Sequence, residues 1–306
     1  GWDFEALTCH SDQSVIEDCY FAGTVNFGGG DDVLHSHGGV VRHTMFDRAV
    51  LRLRSSVAAT VLTTLEILQG CAQMTTFEHC RFIGRTVFDS NNLISCVWMI
   101  DARGTNHITW KQCSIIHSSN ENGLQFGNLI SGIDAGSVTN CWLEVDNCEL
   151  TADSDNSHTF LTGVNGVFGS GHHIYCTHEN LSSSLQQTMG LSIHDSHFYG
   201  GAFGLPGSPD AGAVTLYSPR NVSIRNNRFT DWSDSLAAGL NVLVFVKGQS
   251  VSNAQPTDIH IDNNFFGDWA ADVQRISCVA VQDSFYSYVR GNTFSRYRRD
   301  TASVAP

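Results

Sequence analysis

The chain has 306 residues, 42% of them hydrophobic, and a net charge of −13. That is enough apolar material for one large core, with no basic surplus to hold a nucleic-acid backbone. Its only lysines are Lys111 and Lys247, and no apolar run reaches the roughly 20 residues that a membrane-spanning helix needs. Nucleic acid and membrane insertion are therefore not expected.

Taken in chain order, one short pattern recurs: alternating apolar residues, a small or amide residue, and a large apolar residue two places later. The small position is Cys19, Thr44, Cys80, Cys113, Cys148, Ser196, Asn227, Asn264 and Asn292. We call these residues anchors. Three places before them stand Ile16, Val41, Phe77, Trp110, Val145, Ile193, Ile224, Ile261 and Val289. Two places after them stand Phe21, Phe46, Phe82, Ile115, Leu150, Phe198, Phe229, Phe266 and Phe294. The clearest copies are VSIRNNRFTDW at 222–232 and IHIDNNFFGDW at 259–269. Each unit reads as a strand, a sharp turn and a second strand.

Two residues before each anchor, on the outward face, lie Glu17, Arg42, Glu78, Lys111, Asp146, His194, Arg225, Asp262 and Arg290. The first five alternate in sign. On parallel strands about 4.8 Å apart, every charge then has an opposite neighbour, each exposed pair contributing roughly 0.2 to 1 kcal/mol. An antiparallel sandwich would not keep identical residue types in identical register so often. The predicted fold is all-β: a single-stranded right-handed parallel β-helix of about nine to ten coils, with phenylalanine and isoleucine filling its core.

No Pro-rich or Ser-rich linker divides the chain, so 1–306 reads as one solenoid domain. The pattern begins almost at once after Gly1 and no signal peptide precedes it, so upstream sequence covering the first coil is expected. One segment fits badly. HHIYCTHENL at 172–181 offers Ile174, Cys176 and Leu181 in core register but Glu179 at the anchor, which implies either an incomplete rung or a loop.

Four of the ten cysteines, Cys19, Cys80, Cys113 and Cys148, are anchors that exchange with Ser, Thr and Asn. Such use for size points to buried thiols, although stacked neighbours leave oxidation open.

The anchor face looks occupied by its charge ladder, so chemistry is sought on the strand upstream of it in each coil. MIDARG at 99–104 and GIDAG at 132–136 place Asp101 and Asp134 at nearly the same offset before their anchors, with Arg103 alongside. The first reading is a solvated strand end. The second is a pair of carboxylates about one rung apart, able to raise each other's pKa, to serve as acid and nucleophile in a retaining glycosidase, or to hold Ca²⁺. Asn165, Tyr217, Lys247, Gln282 and Asp283 would extend that face toward a substrate. Each also reads as an ordinary exposed residue. The histidines of HSH at 35–37 and His172 with His173 lack a completing cluster, so no metal site is assigned. Trp232 and Trp269 could stack on sugars, and packing between rungs is the plainer reading.

The units SIRNNRF, HIDNNFF and YVRGNTF resemble those of the right-handed β-helices of the pectate-lyase-like superfamily, which includes polysaccharide lyases, hydrolases and bacteriophage tailspikes. The resemblance rests on coil-forming residues along nearly the whole chain, and fold alone does not carry activity. It implies a polysaccharide or cell-surface glycan as partner, an extracellular or virion-surface location and a homotrimer. Pectate lyases of this kind pair an acidic calcium cluster with a basic residue, parts that only Asp101, Asp134 and Arg103 could play. The clustered aspartates of polygalacturonases are not matched. Two functions stand: a glycan-recognising or glycan-cleaving β-helix, and a structural or adhesive spike, fibre or decoration.

Overall fold

The computed structural model describes residues 6–9, 14–21, 24–27, 39–47, 51–52, 65–67, 74–83, 95–99, 106–118, 122–126, 141–153, 174–176, 189–199, 202–203, 213–217, 219–230, 233–234, 241–247, 257–267 and 276–295. Among them there is strand and turn but no helix. Apart from one strand pair, the strands form three parallel sheets of ten, nine and nine members, stacked in chain order. This is the arrangement of a parallel β-solenoid. The upstream sheet runs from Ala6–Cys9 to Ile276–Gln282, the anchor sheet from Ser14–Glu17 to Phe285–Arg290, and the short sheet from Tyr20–Phe21 to Thr293–Phe294.

The register follows the sequence repeat. Phe77 pairs with Trp110, Trp110 with Val145, Val145 with Ile193, and Ile193 with Ile224. Their side chains are buried, as alternate positions of a strand closing on a core must be. Rings stack along the short sheet, with Phe46 on Phe82 at 4.9 Å, Phe198 on Phe229 at 4.7 Å and Phe229 on Phe266 at 4.8 Å. These separations match the spacing of neighbouring strands. Phe294, at the end of that row, is 56% exposed.

Each coil turns at the residue just before its anchor. Asp18, His43, His79, Gln112, Asn147, Asp195, Asn226 and Asn263 all have φ between 49° and 56°, and Gly291 has 64°. Asn and Asp visit this left-handed region at lower cost than other side-chain-bearing residues, and none of the nine is β-branched. The turn is held from the next coil: Gln112 N–H donates to the Asp146 carbonyl at 2.9 Å, and Asn226 N–H to the Asp262 carbonyl at 3.1 Å.

The anchors form a hydrogen-bonded ladder. Asn264 donates from Nδ2 to the Ile224 carbonyl at 2.9 Å and to Asn292 Oδ1 at 3.0 Å. Its Oδ1 accepts from the backbone and side-chain amides of Asn227 at 2.9 and 3.0 Å. The cysteines repeat the upward bond with weaker donors: Cys80 Sγ reaches the Val41 carbonyl, Cys113 Sγ that of Phe77, and Cys148 Sγ that of Trp110, at 3.2 to 3.3 Å. Thus these thiols serve for more than size. They are free, as are Cys19 and Cys278. Burial raises the Cys113 thiol well above its ordinary pKa, with the Cys148 and Cys80 thiols adding to the effect.

The ill-fitting segment resolves simply. Ile174–Cys176 is the upstream-sheet strand of the coil anchored at Ser196, paired with Asn122–Phe126 before it and Val214–Tyr217 after it. Core register for Ile174 holds, while Leu181 and Glu179 lie outside the described residues. One coil therefore spans the 48 residues from Cys148 to Ser196.

Candidate functional site

The outward row of the anchor sheet pairs as the alternation of signs requires. Arg42 bonds Glu17 at 2.8 Å, Lys111 lies 3.5 Å from Glu78, and Arg290 lies 3.1 Å from Asp262. Lys111 is also in register with Asp146. Further along the row His194 stands beside Asp146, and there the ladder broadens into a cluster.

The cluster is built by three adjacent strands. Asn106–Lys111 supplies His107 and Thr109, Cys141–Asp146 supplies Trp142, Glu144 and Asp146, and Met189–His194 supplies His194, with Asp195 in the turn that follows. Residues two apart on a strand share a face, which brings Trp142, Glu144 and Asp146 outward together. His194 Nε2 lies 3.3 Å from Glu144 Oε1, and its Nδ1 lies 3.0 Å from Asp195 Oδ2 and 3.4 Å from Asp146 Oδ1. Glu144 Oε2 also meets His107 Nε2 at 3.5 Å and accepts from the Thr109 hydroxyl at 3.5 Å.

These contacts set the charges. Burial pushes the His194 pKa down, but hydrogen bonds to Asp195 and Glu144 and the charge of Asp146 outweigh it, so the net shift is upward. For Glu144 burial acts upward, and the hydrogen bonds and charges of His194 and His107 carry the net shift downward. The ring thus favours the imidazolium and the carboxyl the carboxylate. Asp146, His194 and Asp195 also place one ligand atom each within 4.8 Å of one another, the residue types for a divalent cation. Their geometry is already explained by the contacts of His194 Nδ1 with Asp195 and Asp146.

Trp142 stands at the cluster's edge, 37% exposed. Its register partner is Gly190, and a Cβ there would run into Cε3 and Cζ3 of the indole. Glycine therefore lets the ring lie across the next coil instead of standing up from the sheet. The His107 ring meets the indole edge-on at 6.4 Å. The result is an aromatic shelf beside a row of carboxylates and imidazoles, a surface suited to a polyhydroxylated ring: stacking on one side and hydrogen-bond acceptors on the other.

Of the residues expected from sequence, Asp101, Arg103, Asp134 and Asn165 lie outside the described residues, as do the histidines at 35, 37, 172 and 173 and the tryptophans at 232 and 269. The structure does bring three of the others together. Tyr217, Lys247 and Gln282 occupy one register position on successive strands of the upstream sheet. Lys247 is half-buried and Gln282 exposed, and Asp283 follows in an exposed turn with φ 49°. The Trp142–Glu144–His194 cluster was not expected. Its signal was legible in the same alignment, in the outward row two steps upstream of the charge ladder, where His107, Trp142 and Gly190 align.

Comparison with known proteins gives no match, whether against family models, curated protein sequences or solved structures.

Proposed function

We propose that this solenoid is a right-handed β-helix that recognises a surface polysaccharide, held along the outer face of its anchor sheet with Trp142 as the stacking platform. The observation that carries the reading is the indole laid over Gly190 beside Glu144 and His194. A flat parallel sheet repeats the same face at each rung, and an extended polymer can follow it from coil to coil. Glu144 and His194, 3.3 Å apart, are residue types that serve as base and acid, so cleavage belongs to the same proposal. The likeness to tailspikes and polysaccharide lyases supplies the rest of it: an extracellular or virion-surface setting, a homotrimer, and Asp101, Arg103 and Asp134 as a second site, with Ca²⁺ as its cofactor in the lyase version. A second reading, a structural spike, fibre or decoration, is favoured by the anchor ladder and the charge row, which build a rod independently of any ligand.

The test is a screen of bacterial capsule, O-antigen, pectin and alginate polysaccharides. It reads retention on the protein, new reducing ends and the ultraviolet absorbance of new C=C bonds. Wild type is compared with Trp142→Ala, Gly190→Ala and the Asp101→Asn, Asp134→Asn double variant. Retention of at least one polymer, weakened about tenfold in the Trp142 and Gly190 variants, is expected from losing one stacked ring. Ends with absorbance mean a lyase and ends without it a hydrolase. Folded protein that retains and cleaves nothing overturns the reading in favour of the structural one.

A further inference from the structure

The charges around Trp142 select among polysaccharides. Resting on the glycan reading of this site, we infer that the polymer it takes carries free amines, as a hexosamine chain does, and not carboxylates. Three carboxylates, Glu144, Asp146 and Asp195, face two imidazoles, with His194 against all three and His107 against Glu144. Lys111, the nearest lysine in the row, lies against Glu78, and Arg225 stands on the far side of His194 from Glu144. The balance beside the shelf is therefore negative even with both imidazoles protonated, and the whole chain carries −13. Asp195 is 55% exposed and Asp146 28% exposed, so both can accept from donors arriving from solvent.

A uronate chain stacked on Trp142 would set its carboxylates beside these, a like-charge contact that side-chain movement relieves only in part. An N-acetylated chain would keep the stacking and gain no ion pair. An amine on each sugar gains both, because an ammonium is attracted by the indole face as well as by a carboxylate. Strands recur every 4.8 Å or so along the sheet, about the length of one hexose, so a chain along the solenoid axis would present one amine per rung.

The experiment is calorimetric titration near pH 5.5 and low salt with three hexamers: glucosamine, its N-acetylated counterpart and galacturonic acid. Individual exposed ion pairs are weak, and two or three acting together give about a tenfold preference. The glucosamine hexamer is expected to bind about tenfold more tightly than the acetylated one and to lose that margin at high salt. Asp195→Asn and Glu144→Gln should each bring the affinities for the amine and acetylated hexamers to within about twofold of one another. Asparagine keeps the left-handed turn at 195 accessible, and thermal melting confirms that each variant folds. Glu149→Gln, which alters an exposed acid on the short sheet, should change nothing. Equal affinity for the amine and acetylated hexamers, preference for the uronate, or an effect of Glu149→Gln as large as that of Asp195→Asn overturns the inference and leaves the glycan reading standing. Binding of none of the three, together with an empty polysaccharide screen, overturns both.

Discussion

Replacing Asn264 by alanine tests the anchor ladder at its most connected rung. Asn264 is 1% exposed, and its amide takes part in four hydrogen bonds with three residues. Two of the groups it serves have other partners: Asn227 Nδ2 keeps the Ile193 carbonyl, and Asn292 Oδ1 keeps the backbone amide of residue 264. The Asn227 backbone N–H loses its partner outright, and the Ile224 carbonyl, which lies in the parallel strand ladder, loses a second donor. The unsatisfied N–H costs about 1–3 kcal/mol and the lost bond to Ile224 about 0.5–1.5 kcal/mol, so the variant should lose about 2–4 kcal/mol. That is a large fraction of the 5–15 kcal/mol by which folded proteins are typically stable. Urea unfolding should show a lower midpoint at an unchanged slope, and amide exchange should place the loss in the coils of Asn227, Asn264 and Asn292. Cys148→Ala is the comparison. Its thiol makes the equivalent upward bond and accepts the Cys113 backbone N–H at 3.4 Å, both through weakly bonding sulfur, so the change should cost less, about 1–2 kcal/mol. A loss below about 0.5 kcal/mol for Asn264→Ala, or one no larger than that of Cys148→Ala, would refute the claim that amides carry this end of the solenoid.

Two further outcomes follow from the ionisable groups. His194 faces Glu144, Asp146 and Asp195, with Arg225 in register beyond it, and its folded pKa is raised. Its contribution is therefore full below the unfolded value of about 6.5 and is lost as pH rises through the folded value; urea midpoints should fall across that window in wild type and stay flat in His194→Gln. Burial holds the Cys278 thiol up at about 11, so at pH 8 iodoacetamide should modify it roughly two-hundredfold more slowly than a free cysteine, rising about tenfold per pH unit up to pH 10. Peptide mapping by mass spectrometry reads the rate, and alkylation at an ordinary rate would show that the thiol is accessible and solvated.

The scaffold was legible in the sequence because a solenoid repeats one local problem. An inward ring such as Phe46 or Phe229 needs the same neighbour in every coil, so the core row and the charge row could be aligned without any knowledge of the sheets. The left-handed residues were harder to see. His43, Gln112 and Asp195 share a backbone angle and no side-chain type, so their column is invisible to a search for residue likeness. The thiols were half legible: Cys113 exchanging with Ser and Asn suggested size, while its bond to the Phe77 carbonyl required coordinates. The cluster around His194 is not legible from the charge row alone, because alternating charges account for that row without it. Its meaning depends on Glu144 and Trp142, one and two same-face steps upstream of the row, and on a glycine whose importance lies in the indole above it. Tyr217, Lys247 and Gln282 share one register position because their strands keep the register of the core.

The anchors are tied one to the next, yet the chain between them varies freely: 28 residues separate Asn264 from Asn292, and 48 separate Cys148 from Ser196. Pulled by its two ends, such a molecule should yield rung by rung, because each coil contacts only its neighbours. Each rupture would free the length of chain stored between two anchors, about 100 Å for the shorter coil and about 170 Å for the longer at roughly 3.5 Å per residue. The force trace would then read out the loop lengths as a sequence of unequal steps, a mechanical barcode of the order in which the coils let go.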